Sequence, residues 1–399
     1  MLRSFRFSNH RSIKDESELV LLPAYKSDRP VVPVTALFGP NASGKSNVLH
    51  ALSWMWSAVS DSYGQWRPDG GVPRDPYLLS PSGRAEPSVY SVDFVADGVR
   101  HFYGFAVDDA RVREEWLHTY PKANRRRVVF EREGESWRFG STVPRARFAV
   151  LQELTRDNAL FLSVAIQSGA PETAAAGRWF RRAWFSWPVS RVRARVNDTV
   201  EYLSAAPANR EGLVALLKAA DLGISDVRPI PVDSSDGLVL EKPDLEFVHG
   251  ANGAALRSWQ QSRGTLEWLG LLVPALTALE HGGLLVVDEL DASLHPVLTP
   301  QLIELFKDER SNPHHAQLLF TGHDATLLDE DTLRRDEIWF TEKNLGDGVT
   351  RLYPLSDFHP RKNENTEGRY LTGSYGAVPT VSGYEFRDAL RRLRAGEPA

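Results

Sequence analysis

Apolar and polar residues alternate along residues 2–7, and again along 89–94, 101–107, 113–118 and 127–131, with turns such as Ala96-Asp97-Gly98 between them. That period of two predicts a sheet of short antiparallel strands. Residues 18–22 and 31–38 read as further strands, the second ending in Gly39-Pro40. The period then changes. Val48, Leu49, Leu52 and Met55 share one face of a predicted helix from Lys45 to about residue 60, and the Gly-, Pro- and Ser-rich stretch 61–82 follows as a loop. From 146 to about 222 the pattern is helical throughout, including the Trp- and Arg-rich stretch 179–196. Another β-rich passage runs to Phe247. A helix over 264–279, an apolar strand at 284–287, a helix over 296–306, a strand at 317–320 and a strand pair near 338–340 and 350–353 complete the pattern, before a polar tail with a helix expected over 384–394.

This order predicts four parts: 1–145 and 226–360 as two pieces of one α/β core, an inserted helical domain at 146–225, and a tail at 361–399. The first piece carries the antiparallel β subdomain. No heptad repeat is sustained, so no long coiled coil is expected.

Composition narrows the class only a little. The chain has 399 residues, 42% hydrophobic and 25% charged, with no cysteine. Disulfides, thiolate catalysis and Cys-ligated zinc are thereby excluded. The N-terminus is too short and too charged for a signal peptide, and no apolar run approaches the ~20 residues of a membrane span. A cytoplasmic protein that does not engage membrane is expected. Its net charge of −5 gives no global attraction to nucleic acid, so contact with DNA or RNA would have to be local.

The chemistry concentrates at two places. Gly39-Pro40-Asn41-Ala42-Ser43-Gly44-Lys45-Ser46 matches the phosphate-binding loop pattern, with an apolar strand before it and a helix after it. Gly39 and Gly44 let main-chain N–H groups close around a β-phosphate, and the helix N-terminus adds its positive dipole end. Lys45 is placed for the β- and γ-phosphates of ATP and Ser46 for Mg²⁺; Asn41, Ser43 and Asn47 complete the expected nucleotide-binding set. The second place is Leu284-Leu285-Val286-Val287-Asp288-Glu289, a strand hydrophobic on both faces that ends in two acids. Such a strand belongs inside a parallel sheet, with ligands at its carboxyl end. Asp288 is expected to hold Mg²⁺ and Glu289 to act as general base toward the attacking water.

Around these two motifs the sequence resembles the SMC-like ABC ATPases, and more narrowly the defence-associated ATPases grouped with the abortive-infection and overcoming-lysogenization proteins. Glu289-Leu290-Asp291-Ala292-Ser293-Leu294-His295-Pro296 resembles their Walker B and D-loop. Phe320-Thr321-Gly322-His323-Asp324 resembles their switch histidine, which implies that His323 contacts the γ-phosphate. Ser262-Arg263-Gly264-Thr265 resembles their shortened signature motif, which implies that Ser262 and Gly264 of one subunit cap the nucleotide held by the other. Phe7-Ser8-Asn9-His10-Arg11-Ser12-Ile13 resembles their N-terminal motif, in which Arg11 would approach the nucleotide. The stretches 157–163 and 368–377 look like the subgroup containing the RloA and AbiLi ATPases. The resemblance covers residues 1–55 and 255–380. No Q-loop glutamine is assigned: Gln65 falls in a predicted loop and Gln152 in a predicted helix.

The resemblance implies an ABC-type P-loop NTPase head with a mixed sheet, the phosphate-loop and Walker B strands side by side. It also implies a head-to-tail homodimer that hydrolyses ATP and controls a separately encoded effector such as a nuclease in anti-phage defence. The chain ends soon after the core, so the effector is expected to be another protein. A DNA-repair or DNA-maintenance ATPase acting directly on DNA, and a nucleotide-gated scaffold with negligible turnover, stay open as alternatives.

The remaining charged clusters have simpler accounts. Arg125-Arg126-Arg127, Arg181-Arg182 and the Arg191/Arg193/Arg195 set read as solvated faces or local ion pairs rather than phosphate contacts. The aromatics at 179–187 read as core or interface rather than as platforms for stacking bases. His295 belongs to the stretch that resembles the D-loop, and His314, His315 and His359 lack the spacing of a transition-metal site.

Overall fold

A computed structural model describes all residues except 123–124, 188–191, 221, 231–242, 251–252, 293–294, 363, 380–386, 389 and 393–399. Chain order begins with β1 (Leu2–Ser8), β2 (Ser17–Val20), β3 (Val34–Phe38), α1 (Lys45–Asp61) and the short α2 (Pro81–Ala85). A run of strands follows: β4 (Ser88–Ala96), β5 (Val99–Val107), β6 (Val112–Tyr120), β7 (Arg127–Glu133) and β8 (Ser136–Phe139). Next come α3 (Arg145–Leu154), α4 (Phe161–Gln167), α5 (Ala174–Phe180), β9 (Ala183–Ser186), α6 (Val192–Ala205) and α7 (Pro207–Ala219). The last part holds β10 (Ile224–Ile230), β11 (Asp244–His249), β12 (Ala254–Arg257), α8 (Arg263–His281), β13 (Leu284–Val287), α9 (Leu298–Lys307), β14 (Gln317–Thr321), β15 (Ile338–Lys343), β16 (Thr350–Pro354) and α10 (Thr366–Leu371).

Three sheets result, in the orders β2-β1-β4-β5-β6-β7-β8, β10-β11-β12 and β16-β15-β3-β14-β13-β9. The third is the core. Its strands β15, β3, β14, β13 and β9 run parallel, with β16 added antiparallel at one edge. Period-two alternation divides its side chains between two hydrophobic clusters. Leu37, Leu319, Leu284 and Val286 face α1 and the seven-stranded antiparallel sheet. Val34, Ala36, Phe38, Leu318, Phe320, Leu285 and Val287 face α8 and α9 on the other side. A sheet covered on both faces needs strands apolar at every position, as Leu284–Val287 is.

Two expectations are corrected here. The phosphate-loop strand β3 and the Walker B strand β13 are not neighbours, because β14 lies between them and pairs in parallel with both. The stretch 146–225 is not one helical insertion. Its residues 183–186 form β9, paired in parallel with β13 and register-matched at Phe185 and Val286. Helices α3–α5 pack on the cluster shared with the antiparallel sheet, whereas α6 and α7 pack against the other cluster. Four residues give too short a run to show a strand period, and the arginines on either side favour a helical reading. The aromatics behave as expected: Trp179 stacks on Phe94 at 3.9 Å inside the core. The expected helix over 384–394 and the D-loop residues Ser293 and Leu294 lie wholly or partly outside the described residues, as do Arg191 and the side chains of Arg193 and Arg195.

Glu115 joins the antiparallel sheet to the helices. Fully buried on β6, it accepts hydrogen bonds from the Phe161 N–H (2.6 Å), the Leu162 N–H (2.9 Å) and the Tyr103 hydroxyl (3.0 Å). Burial pushes its pKa up to about 6 in spite of those donors. A folded-state pKa above the unfolded one makes a contribution to stability that is full below the unfolded pKa and lost as pH rises through about 6. Glu115→Ala orphans two main-chain donors and a hydroxyl, and is expected to cost about 3 kcal/mol in denaturant unfolding. A loss under about 1 kcal/mol would mean that water takes over those donors.

Candidate nucleotide site

The carboxyl ends of β3, β14 and β13 converge on the start of α1. Gly39 (φ +151°) and Gly44 (φ +108°) bracket the loop. A Cβ at Gly39 would stand 2.3 Å from the Thr341 carbonyl, and one at Gly44 2.3 Å from Thr350 Oγ1, so only glycine lets the loop lie against β15 and β16. Ser43 is buried, its hydroxyl paired with Thr341 Oγ1 at 2.6 Å and its carbonyl accepting from Thr350 Oγ1 at 2.8 Å. Asn47 donates to Ser12 Oγ at 2.7 Å. The side chains of Ser43 and Asn47 thus hold the loop's shape, while Asn41 is exposed at its rim. Beneath the loop, Tyr370 stacks on Phe340 and meets Phe38 edge-on, which gives the 368–377 stretch a supporting role.

Lys45 donates to Gly39 O (2.7 Å) and Pro40 O (3.1 Å). Burial lowers its pKa to about 8, opposed by the nearby carboxylates of Asp288, Glu289 and Asp291. Ser46 Oγ donates to Asp288 Oδ1 at 3.0 Å, so the two oxygens that would hold Mg²⁺ already stand together. One hydroxyl and one carboxylate suit an ion that keeps most of its waters and takes its other ligands from phosphate. Among the described residues no group of three or more His, Asp or Glu side chains could hold a metal by itself.

Thr321, at the end of β14, is the keystone that sequence reading missed. Its hydroxyl donates to Asp288 Oδ1 (2.7 Å) and accepts the Glu289 N–H (2.7 Å). The intervening strand therefore ties the two acids into one geometry. Glu289 has φ +53°, a left-handed conformation that costs an ordinary residue roughly 1–2 kcal/mol. Its Oε1 lies 3.9 Å from His323 Nε2. Asp291 Oδ2 accepts the main-chain N–H groups of His323 and Asp324, fixing the loop that carries the histidine, and Asp291 Oδ1 is buried without a partner.

Arg11 (φ +49°) lies across Ser12 from the loop. Its guanidinium pairs with Asp75 at 3.1 Å and donates to His50 Nε2 at 2.6 Å. Arginine can only donate, so His50 Nε2 accepts and a neutral His50 carries its proton on Nδ1. That proton is directed at His10 Nε2 (3.0 Å), and His10 Nδ1–H then meets the Tyr90 hydroxyl (2.8 Å). Burial lowers the pKa of His10 to about 3 and of His50 to about 4, which keeps both rings neutral as this chain of bonds requires. Neither histidine was singled out from the sequence, because position 50 reads there as one more helix residue.

Two clefts flank the loop and share Leu79. One of about 890 Å³ runs along Pro40–Ser43 and the 342–348 hairpin; the other, of about 650 Å³, is lined by Arg11, Ser12, Asp75 and Leu78. Ser262 is not among the groups gathered here. It caps α8, accepting the Thr265 N–H at 3.1 Å, and no polar contact joins Ser262 or Gly264 to the loop or to Glu289 of the same chain among the described residues. Gln65 and Gln152 likewise make no hydrogen bond to Ser46, Asp288 or Glu289.

A phosphate loop after one parallel strand, paired acids after another and a histidine loop after the strand between them define an α/β P-loop NTPase of the ABC-ATPase head type. The chain belongs to the family described as "AAA domain, putative AbiEii toxin, Type IV TA system", whose family model matches residues 34–329. Among solved structures it is similar to an Smc head domain with an extended coiled coil bound to the C-terminal domain of ScpA from Pyrococcus furiosus. That similarity has TM-score 0.46 and 11% identity, over 90% of this chain and 97% of that one. It is also similar to an Smc head domain with a coiled coil and joint from Pyrococcus yayanosii, with TM-score 0.48 and 11% identity, over 94% and 99%. No curated protein matches the sequence. Among the described residues no helix is long and apolar enough to cross a membrane.

Proposed function

We propose that this chain hydrolyses Mg-ATP as a head-to-tail homodimer and that its nucleotide-dependent closure controls a separately encoded effector, a nuclease by preference, in anti-phage defence. The observation that carries the ATPase reading is the Ser46–Asp288–Thr321–Glu289 chain of hydrogen bonds, which sets a strained acid beside the phosphate loop. In this reading main-chain N–H groups of the loop and Lys45 hold the β- and γ-phosphates. Glu289 orients a water for in-line attack and accepts its proton, and His323, held by Asp291, contacts the γ-phosphate. Mg²⁺ held by Ser46 and Asp288 supplies charge neutralisation when bound. Arg11 faces the nucleotide from the 650 Å³ cleft. Ser262, absent from its own chain's site and standing at the N-terminus of a 19-residue helix, serves the partner's γ-phosphate.

Complementation tests the shared site. Lys45→Ala and Ser262→Arg are each expected to be inactive alone. Mixed in equal amounts they form heterodimers with one intact site of two, returning about a quarter of wild-type turnover by random pairing in a closed two-fold dimer. A mixture as inactive as its components would refute the head-to-tail arrangement. For the effector, pull-down of Glu289→Gln with ATP from the native host is expected to retain the product of an adjacent gene. Recovery of the chain alone would count against that part.

A further inference from the structure

The corner of the molecule farthest along the antiparallel sheet carries a concentration of positive charge unrelated to the nucleotide site. Residues 121–147 hold eight arginines and lysines against three glutamates, a net +5 within a chain of net −5. In the structure Lys122, Arg125, Arg126, Arg127 and Arg138 converge on one cavity of about 630 Å³ between the β6–β7 connection and the end of β8, with Ser141 and Thr142 beside it. Arg138 pairs with Glu131 at 3.0 Å. The other four, all exposed, make no ion pair among the described residues, so of the two accounts expected from sequence, a solvated face or local ion pairs, the second does not apply to them. Like charges gathered in a concave surface without carboxylates repel one another, and an anion relieves that repulsion.

Strand register fixes how far this is from the ATP site. The cross-strand row Phe7–Tyr90–Phe105–Glu115–Arg132 leads toward Arg11, whereas Arg127 ends the opposite row, Leu2–Phe94–His101–Thr119–Arg127. The two places are therefore diagonal, separated by a strand length and by four strand spacings, the latter about 19 Å.

The geometry points to a binding site for the phosphodiester backbone of a nucleic acid, contacted without reading sequence. Four of the five cations are arginines, whose planar forks match phosphate oxygens two at a time, and the neighbouring hydroxyls are of the kind that bind phosphate. The cavity presents no exposed aromatic platform for stacking bases, since its one ring, Phe139, packs on Phe148 and Phe161. Recognition therefore runs through charge.

The test is fluorescence anisotropy with a labelled 40-nucleotide DNA duplex and a single-stranded RNA of the same length, on the full chain. Four unpaired cations predict a log–log salt slope of about −3.6, which weakens duplex binding roughly 150-fold between 50 and 200 mM salt. The R125A/R126A/R127A variant is expected to flatten that slope by about 2.7 while binding fluorescent ATP as the wild type does. Whichever of the two polymers binds more tightly at equal salt identifies the source of the backbone. The proposal is overturned if neither polymer binds at 50 mM salt, or if the triple variant keeps the wild-type slope. It is also overturned if saturating ATP displaces the polymer, which would place it on the phosphate loop. Equal competition by poly-glutamate would overturn it too, assigning the patch to an acidic protein.

Discussion

Lys45→Ala is expected to weaken ATP binding at least about 100-fold, or about 2.7 kcal/mol. The side chain is almost fully buried and is the cation amid Asp288, Glu289 and Asp291. Its removal takes away charge-assisted bonds to two phosphates, each of a kind worth about 1.5–3 kcal/mol. It also leaves three carboxylates facing a polyanion. The nucleotide-free protein should not lose stability, because burial already works against the ammonium, as its lowered pKa shows. Titration calorimetry with Mg-ATP, alongside a melting curve of the free protein, separates the two effects. Affinity within threefold of wild type would remove Lys45 from the phosphate site.

Glu289→Gln is expected to leave ATP affinity near wild type and to lower turnover by about 10²–10⁴, the usual contribution of a general base. Glutamine has the same shape. The features that position residue 289, its bond from N–H to Thr321 Oγ1 and its φ of +53°, belong to the main chain and survive the change. What disappears is the carboxylate proposed to take the proton. With hydrolysis stopped and binding intact, a nucleotide-bound dimer should accumulate and elute as such in size-exclusion chromatography with ATP. Wild-type turnover in this variant would move the base elsewhere. Slow turnover without any dimer would keep the base and discard the head-to-tail assembly.

The two variants differ for a reason that lies in the proposed mechanism. There Lys45 acts on groups already charged before reaction, so its loss is expected in binding. Glu289 acts on a proton that moves only in the transition state, so its loss is expected in rate.

Much of this site was legible in the chain. The loop 39–46 carries its glycines, lysine and serine contiguously, and local chemistry alone dictates a turn that cradles phosphate. Leu284–Val287 followed by Asp288-Glu289 states its own burial and its own polar, half-buried end. The antiparallel strands announced themselves by a period of two. Legibility failed where a residue's role depends on a neighbour far along the chain. Phe185 is a strand residue because it pairs with Val286, about a hundred positions away. His50 matters because Arg11 and His10 fold against it.

What the sequence determined by itself is a set of local motifs: a Gly-rich loop ending in Lys45-Ser46, a strand ending in paired acids, a histidine just past a later apolar strand and a basic run at 125–127, each written in nearby residues. What only the tertiary structure decided is arrangement. It placed β14 between the two motif strands, so that Thr321 joins Asp288 to Glu289. It kept Ser262 out of its own chain's site, and it curled a run of arginines into a cavity with Arg138. Strand order and concavity are set by which long-range pairings bury the most apolar surface, a sum over the whole chain that no local stretch of residues contains.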